Sequence, residues 1–250
     1  MPNLHATQYA DAEASSAPAF KVGLIRVITL DDRNDVELHG RLIESLYPGI
    51  EIESRCIPDQ PEGIHSPALE KLAEPKIVET ARSFADKDMI LVSCADDPAL
   101  PLVRAALPGM PVTGAGECAC ALAMRFGRTI GVIGITDTPP KAYGRMLTPV
   151  YDPHAAMAPG ILLGNFRPDG VHGTLDLQTP EGRDSVIRTA MRIKELGADV
   201  IALGCTGLAT IGIADELAEA TGLPIIDPVL AMGAFASFEA AAKRRRAAKN

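Results

Sequence analysis

Two cysteines, Cys94 and Cys205, close similar apolar runs in the two halves of the chain: Met89-Ile90-Leu91-Val92-Ser93-Cys94 and Val200-Ile201-Ala202-Leu203-Gly204-Cys205. Each run follows an earlier one of related pattern, Val22-Gly23-Leu24-Ile25-Arg26-Val27-Ile28-Thr29 in the first half and Ile130-Gly131-Val132-Ile133-Gly134-Ile135-Thr136 in the second. Gly23 lies 71 positions before Cys94, and Gly131 lies 74 before Cys205. After each cysteine a helical stretch leads to a third apolar run, at 109–113 and 222–226. Such a repeat predicts two similar halves, each presenting a thiol to one shared cleft. Two facing thiols form an acid–base pair. Inverting a carbon next to a carbonyl needs a base on one face to take its proton and an acid on the other to return one. A thiol with an ordinary pKa of about 8.5 reaches both forms near neutrality, and a helix N-terminus is expected to lower it further. The scheme requires neither a metal nor an organic cofactor.

The elements that must position the thiols follow from pattern. Strands that are apolar throughout, alternating with helical stretches at 36–46, 68–85, 98–107, 117–125, 180–196, 214–220 and 229–243, predict parallel sheets covered by helices on both faces. The expected fold is α/β: two pseudo-symmetric Rossmann-like lobes, each a parallel sheet flanked by helices, with the active site in the cleft between them. Lobe 1 is expected over 20–113 plus 211–245 and lobe 2 over 114–210, behind a disordered tail at 1–19. Asp97-Pro98 and Thr179-Pro180 read as N-cap followed by first helical residue, and Gly197 as a helix end. The Gly/Pro-rich stretch 151–178 reads as a long loop, either a lid or a plain surface excursion. Parallel sheets bind ligands at the carboxyl ends of their strands, where both cysteines stand. The residues after each open a helix whose free N–H groups suit a carboxylate or an enolate oxygen, so the amides of Ala95 and Thr206 are expected to point inward.

Composition narrows the class. With 47% apolar residues among 250, a core forms without staples. Five cysteines, an odd number, and no charged-then-apolar leader pattern predict reduced thiols and a cytoplasmic location. No apolar run approaches the ~18 residues of a membrane span, so no membrane partner is expected. The net charge of −8 argues against nucleic acid. The basic run Lys243-Arg244-Arg245-Arg246 is read as cations complementing a helix C-terminus. The expected partner is a small-molecule substrate, with the chain in a homo-oligomer.

Cys94-Ala95-Asp96-Asp97-Pro98 and Gly204-Cys205-Thr206-Gly207, each at a strand end, resemble the aspartate/glutamate/hydantoin racemase superfamily from about Lys21 to about Lys243. The resemblance implies two α/β lobes around a cleft and a racemase that uses two cysteines without cofactor. It carries Cys94 and Cys205 over as the bases, with Asp96 and Thr206 beside the substrate. The Cys-x-x-Asp-Pro form is most similar to hydantoin racemases. Glutamate racemases place Asn-Thr after the first cysteine and Thr-His after the second, where this chain has Ala95-Asp96 and Thr206-Gly207. Hydantoin racemases tend to carry Asn-Pro-Asn after the first strand, where this chain has Arg26-Val27-Ile28-Thr29. A guanidinium there is expected to grip a carboxylate bidentately, favouring an acidic amino acid or an acid-bearing hydantoin.

The expected site therefore holds Cys94 and Cys205 as catalytic groups, with Arg26, Thr29, Ala95, Asp96, Thr136, Thr206 and Gly207 around the substrate and no metal ligand. Thr29 and Thr136 enter as matching strand ends, with loop capping as the alternative for their hydroxyls. Asp97 reads as a cap before a catalytic group, and His172 as a solvated loop residue unless its loop folds over the cleft. Cys56, Cys118 and Cys120 read as packing residues. The alternatives to a racemase are a maleate isomerase-like enzyme or a decarboxylase of the same superfamily, and a two-lobed binding module without catalysis.

Overall fold

The repeated apolar runs become the inner strands of two separate sheets in a computed structural model that describes residues 19–248. The first sheet holds β1 (Phe20–Arg26), β2 (Ile50–Cys56), β3 (Met89–Ser93) and β4 (Val112–Gly114), in the order β2-β1-β3-β4, with α1 (Arg33–Leu46), α2 (Pro67–Arg82) and α3 (Leu100–Ala106) between them. Helix α4 (Ala115–Phe126) leads to the second sheet. Its strands are β5 (Thr129–Ile133), β6 (Thr148–Pro149), β7 (Ile161–Phe166), β8 (Val200–Leu203) and β9 (Ile225–Ile226), in the order β6-β7-β5-β8-β9. Helices α5 (Lys141–Met146), α6 (Pro180–Glu195), α7 (Thr206–Thr210) and α8 (Ala214–Thr221) connect them, and α9 (Pro228–Ala247) follows. Every pairing is parallel. Apart from the short edge strand β6, the two strand orders are the same, as the expected pseudo-symmetric α/β architecture requires.

Alternating residues of each strand serve two cores. Leu24, Leu91, Ile130, Val132 and Ala202 face a shared interior filled by α4 and α9, where Cys118 and Cys120 are buried. Ile25, Ile90 and Val92 turn the other way onto α2 and α3, and Ile201 and Leu203 onto α6 and α8. The repeated glycines belong to these outer faces: a Cβ at Gly23 would stand 2.3 Å from the Phe84 ring and one at Gly131 2.2 Å from Ile193. Both strands thus let their covering elements approach closely at the same place.

Several expectations change. The tail expected at 1–19 falls outside the described residues except for its last position. Helix α8 and strand β9 pack on the second sheet, so of 211–245 the α9 segment alone lies between the lobes, and the boundary drawn through 211 is moved. The stretch 151–178 is not one loop, because β7 runs through its middle beside β5. Asp97 does not cap α3. Ala99 takes that position in a left-handed conformation with φ +59°, while Asp97 itself has φ +53°. Its carboxylate accepts from the N–H groups of Gly116 (2.8 Å) and Glu117 (2.7 Å), capping α4 from across the chain. Thr179 caps α6 as expected, accepting from Gly182, and Gly197 follows that helix with φ +87°. Among the described residues no helix is long and apolar enough to cross a membrane.

Candidate active site

The carboxyl ends of β1, β3, β5 and β8 open on one cavity of about 1000 Å³, and both Cys94 and Cys205 line it. Both are free thiols. Cys94 follows β3 by one residue and is partly open to the cavity; Cys205 follows β8 and is the N-cap of α7. The surroundings repeat as the strands do. The Cys205 sulfur accepts from the Gly207 N–H at 3.3 Å, and the Cys94 sulfur is met by the N–H of Asp96, also two positions ahead. The Ala95 and Thr206 N–H groups, expected to face the substrate, have no protein acceptor among the described residues.

Burial decides the acidity of both thiols. Depth in the protein pushes Cys94 well above its ordinary value, opposed by the Asp96 N–H and reinforced by the charges of Asp96, Cys205 and Asp97. Cys205 is pushed up to about 11 by burial, against the N–H groups of Gly207 and Leu208. The expected lowering by a helix N-terminus is therefore overridden by desolvation. Both thiols line the same cavity, and neither is locked in a disulfide.

The other expected residues divide. Asp96 lines the cavity and accepts from the Lys141 N–H at 3.2 Å, while the Lys141 ammonium pairs with Glu70 and stands 3.9 Å from Asp96. Gly207 lines the wall beside the Cys205 sulfur, and the Thr206 hydroxyl donates to the Ser93 carbonyl at 3.4 Å. Thr136 lines the wall and donates to the Thr138 carbonyl at 2.9 Å. Thr29 does not line it: its hydroxyl donates to the Ile57 carbonyl (2.7 Å) and accepts from the Gln60 N–H (2.8 Å), fastening one loop to another. Arg26 is on the wall but nearly buried, with Nη1 donating to the Asp35 carbonyl at 2.6 Å and to that of Val36 at 3.3 Å. Its head group is held against the start of α1 through Nη1, which leaves the Nε–Nη2 edge as the face able to take a carboxylate bidentately. His172 is exposed and does not line the cavity, although Thr174 and Leu175 just after it do. Among the described residues no cluster of three or more His, Cys, Asp or Glu side chains is placed to hold a metal ion.

Two features escaped the sequence reading. His39, buried in α1, lies on the cavity wall with both ring nitrogens engaged. Its spacing of four from Ile43, which is also buried, marks it as facing inward. Glu70 and Lys141 join α2 of one lobe to α5 of the other at the cavity edge, a contact between residues 71 positions apart that local pattern does not contain.

A model of the Asp/Glu/Hydantoin racemase family matches residues 40–236. The chain is 27% identical over 171 residues to the hydantoin racemase of Paenarthrobacter aurescens, covering 67% of this chain and 68% of that protein. It is 28% identical over 183 residues to the hydantoin racemase of Rhizobium meliloti, covering 69% of each. The solved structure of an allantoin racemase from Klebsiella pneumoniae has the same fold, with a TM-score of 0.71 at 23% identity over 90% of this chain and 89% of that one.

Proposed function

The chain belongs to the Asp/Glu/Hydantoin racemase family, and from that premise we propose that it is a cofactor-independent racemase using Cys94 and Cys205 as its two bases. Its substrate carbon lies next to a carbonyl, in a hydantoin or an amino acid. The observation that carries this reading is the pair of free thiols at equivalent strand ends of two like sheets, lining one cavity. One sulfur, as thiolate, takes the proton from its face of the carbon. The electron pair moves onto the carbonyl oxygen, where the Ala95 and Thr206 N–H groups are available as donors. The other sulfur, as thiol, returns a proton from the opposite face, and solvent then restores the starting protonation. High thiol pKa values make the thiolate scarce but strongly basic, which suits proton removal from a weak carbon acid.

The lysine and arginine side chains on the cavity wall, Arg26 and Lys141, are tied to backbone carbonyls and to carboxylates. An uncharged hydantoin ring needs no cationic partner, whereas the free carboxylate of an amino acid does. Arg26 keeps its Nε–Nη2 edge without a protein acceptor among the described residues, so the preference for a hydantoin rests on the similarity to two hydantoin racemases. The test is incubation with single-enantiomer hydantoins and amino acids in D₂O, following the α-proton by NMR and inversion by chiral chromatography. Inversion of hydantoins with deuterium at the inverted carbon is expected. Binding without exchange or inversion across the panel would favour a binding module instead.

A further inference from the structure

The polar interior behind the two thiols is a closed ring of hydrogen bonds that runs through His39. Its Nδ1 lies 2.7 Å from the Ser93 hydroxyl and its Nε2 2.9 Å from the Thr210 hydroxyl. Ser93 precedes Cys94, and Thr210 ends the short helix that Cys205 caps. The Thr210 hydroxyl donates to the Thr206 carbonyl at 3.3 Å, and the Thr206 hydroxyl donates to the Ser93 carbonyl at 3.4 Å. In the Nε2–H tautomer His39 donates to Thr210, whose hydrogen goes to Thr206, and Nδ1 accepts from Ser93; in the Nδ1–H tautomer both histidine bonds reverse. In either, the imidazole links Ser93 to Thr210, and Thr206 closes the loop onto the backbone of Ser93.

We propose that His39 is a positioning residue that holds the Cys94 and Cys205 segments in register for two-face proton transfer, an inference that rests on the racemase reading. His39 belongs to the first lobe by sequence and touches the residue before one cysteine and the helix after the other. These contacts span 54 and 171 positions, so it joins segments that nothing local connects. At 1% exposure it is too deep to meet bulk solvent, and burial together with the nearby Arg26 charge keeps the ring neutral, as its acceptor role requires. An apolar side chain of similar size would fill the same space. A doubly bonded imidazole adds direction, since a satisfied polar network admits one arrangement where apolar packing admits several. Two-base inversion requires both sulfurs in reach of one carbon, while exchange on a single face requires one.

The experiment separates those two reactions. Wild type, His39→Leu, His39→Asn and His39→Gln are compared in D₂O for inversion and for exchange without inversion, starting from each enantiomer of a hydantoin that wild type inverts. Circular dichroism and thermal unfolding establish that each variant is folded at the assay temperature. His39→Leu is expected to lose inversion by about a hundredfold, the effect of misplacing a reacting group by roughly 1 Å, while single-face exchange stays within a few-fold. Asn keeps an acceptor for Ser93 and Gln a donor for Thr210, so at least one of them should recover part of the inversion. Unchanged inversion, or inversion and exchange falling by one common factor, would overturn the proposal. If wild type neither exchanges nor inverts any compound, the racemase reading fails, and register is read without substrate from the iodoacetamide alkylation rates of Cys94 and Cys205 by mass spectrometry. A several-fold change in the ratio of those rates in folded His39→Leu is then expected, and an unchanged ratio would overturn the inference.

Discussion

Cys94 and Cys205 occupy the same place in two sheets of like order: each follows the strand beside the first strand of its half, and each sulfur meets the N–H group two residues ahead. Such equivalence suits a reaction whose substrate and product are mirror images at one centre. Neither direction is downhill, so two bases with similar surroundings serve both equally.

The raised pKa values of the thiols set the pH response. Cys205 is held at about 11 and Cys94 well above its ordinary value, both through burial, so both are protonated at neutral pH in the empty cavity. The proposed mechanism requires one of them to lose a proton. The kcat/KM for a hydantoin should therefore climb by roughly tenfold per pH unit between about 7 and 9, as a single ionisation below its pKa demands. A flat profile over that range would mean that the thiolate forms far more easily than its surroundings indicate.

Gly116 couples packing in α4 to the turn that carries Cys94. A Cβ there would stand 2.0 Å from the Ala95 carbonyl oxygen and 2.8 Å from the Asp97 carboxylate. Gly116→Ala should destabilise the fold by about 1–3 kcal/mol as an overpacked site and lower kcat by displacing Cys94. Gly144→Ala is the control, since nothing lies within 4 Å of its Cβ position. Denaturant unfolding and steady-state kinetics of the two variants check this, and equal behaviour would refute it.

Much of this arrangement is legible in the sequence because it repeats. The paired apolar runs mark β1, β3, β5 and β8, and the cysteines at their ends mark the cavity. Strand β2 is less visible, because Ile50-Glu51-Ile52-Glu53 alternates as a half-exposed edge strand does. Strand β7 is hidden by the Gly/Pro-rich residues around it. Asp97 misleads because Asp-Pro is a local cap signal, whereas its carboxylate serves N–H groups 19 and 20 positions away. Thr29 and Thr136 match in the repeat, yet loops of different origin take up their hydroxyls. His39 and the Glu70–Lys141 pair depend on contacts across the lobes, which no local pattern records.

Asp97 carries an opposite pH signature to most paired carboxylates. Burial pushes its carboxyl up to about 7 from an ordinary 3.8, despite the N–H groups of Gly116 and Glu117. Between those values the folded state holds a proton that the unfolded chain has released, so this group's contribution to stability falls as pH rises through the window. Asp97→Asn lacks the ionisation. The melting temperature of the variant relative to wild type should rise from pH 4 to pH 7 and level off above; a constant difference would contradict the raised value.

The Lys141–Glu70 pair joins the lobes at the cavity edge, with Glu70 buried and the lysine half exposed. Lys141→Met should cost about 1–3 kcal/mol, the price of leaving a buried charged acceptor unpaired. Adding Glu70→Gln should restore part of that loss. Hydrogen exchange should quicken in the segments 64–70 and 137–146; if both segments keep wild-type protection, the pair does not hold the edge together.

The two-base assignment is tested most directly by hydrogen–deuterium exchange at the substrate carbon in Cys94→Ser and Cys205→Ser, run in D₂O from each pure enantiomer of a hydantoin that wild type inverts. Serine nearly preserves shape but is a far weaker acid, so both variants should keep the fold and lose inversion. The remaining thiol in each still serves its own face. Each variant should therefore exchange deuterium into one enantiomer, and the two should prefer opposite enantiomers. Wild-type inversion by either variant, or equal exchange of both enantiomers by one of them, would contradict a mechanism with one cysteine on each face.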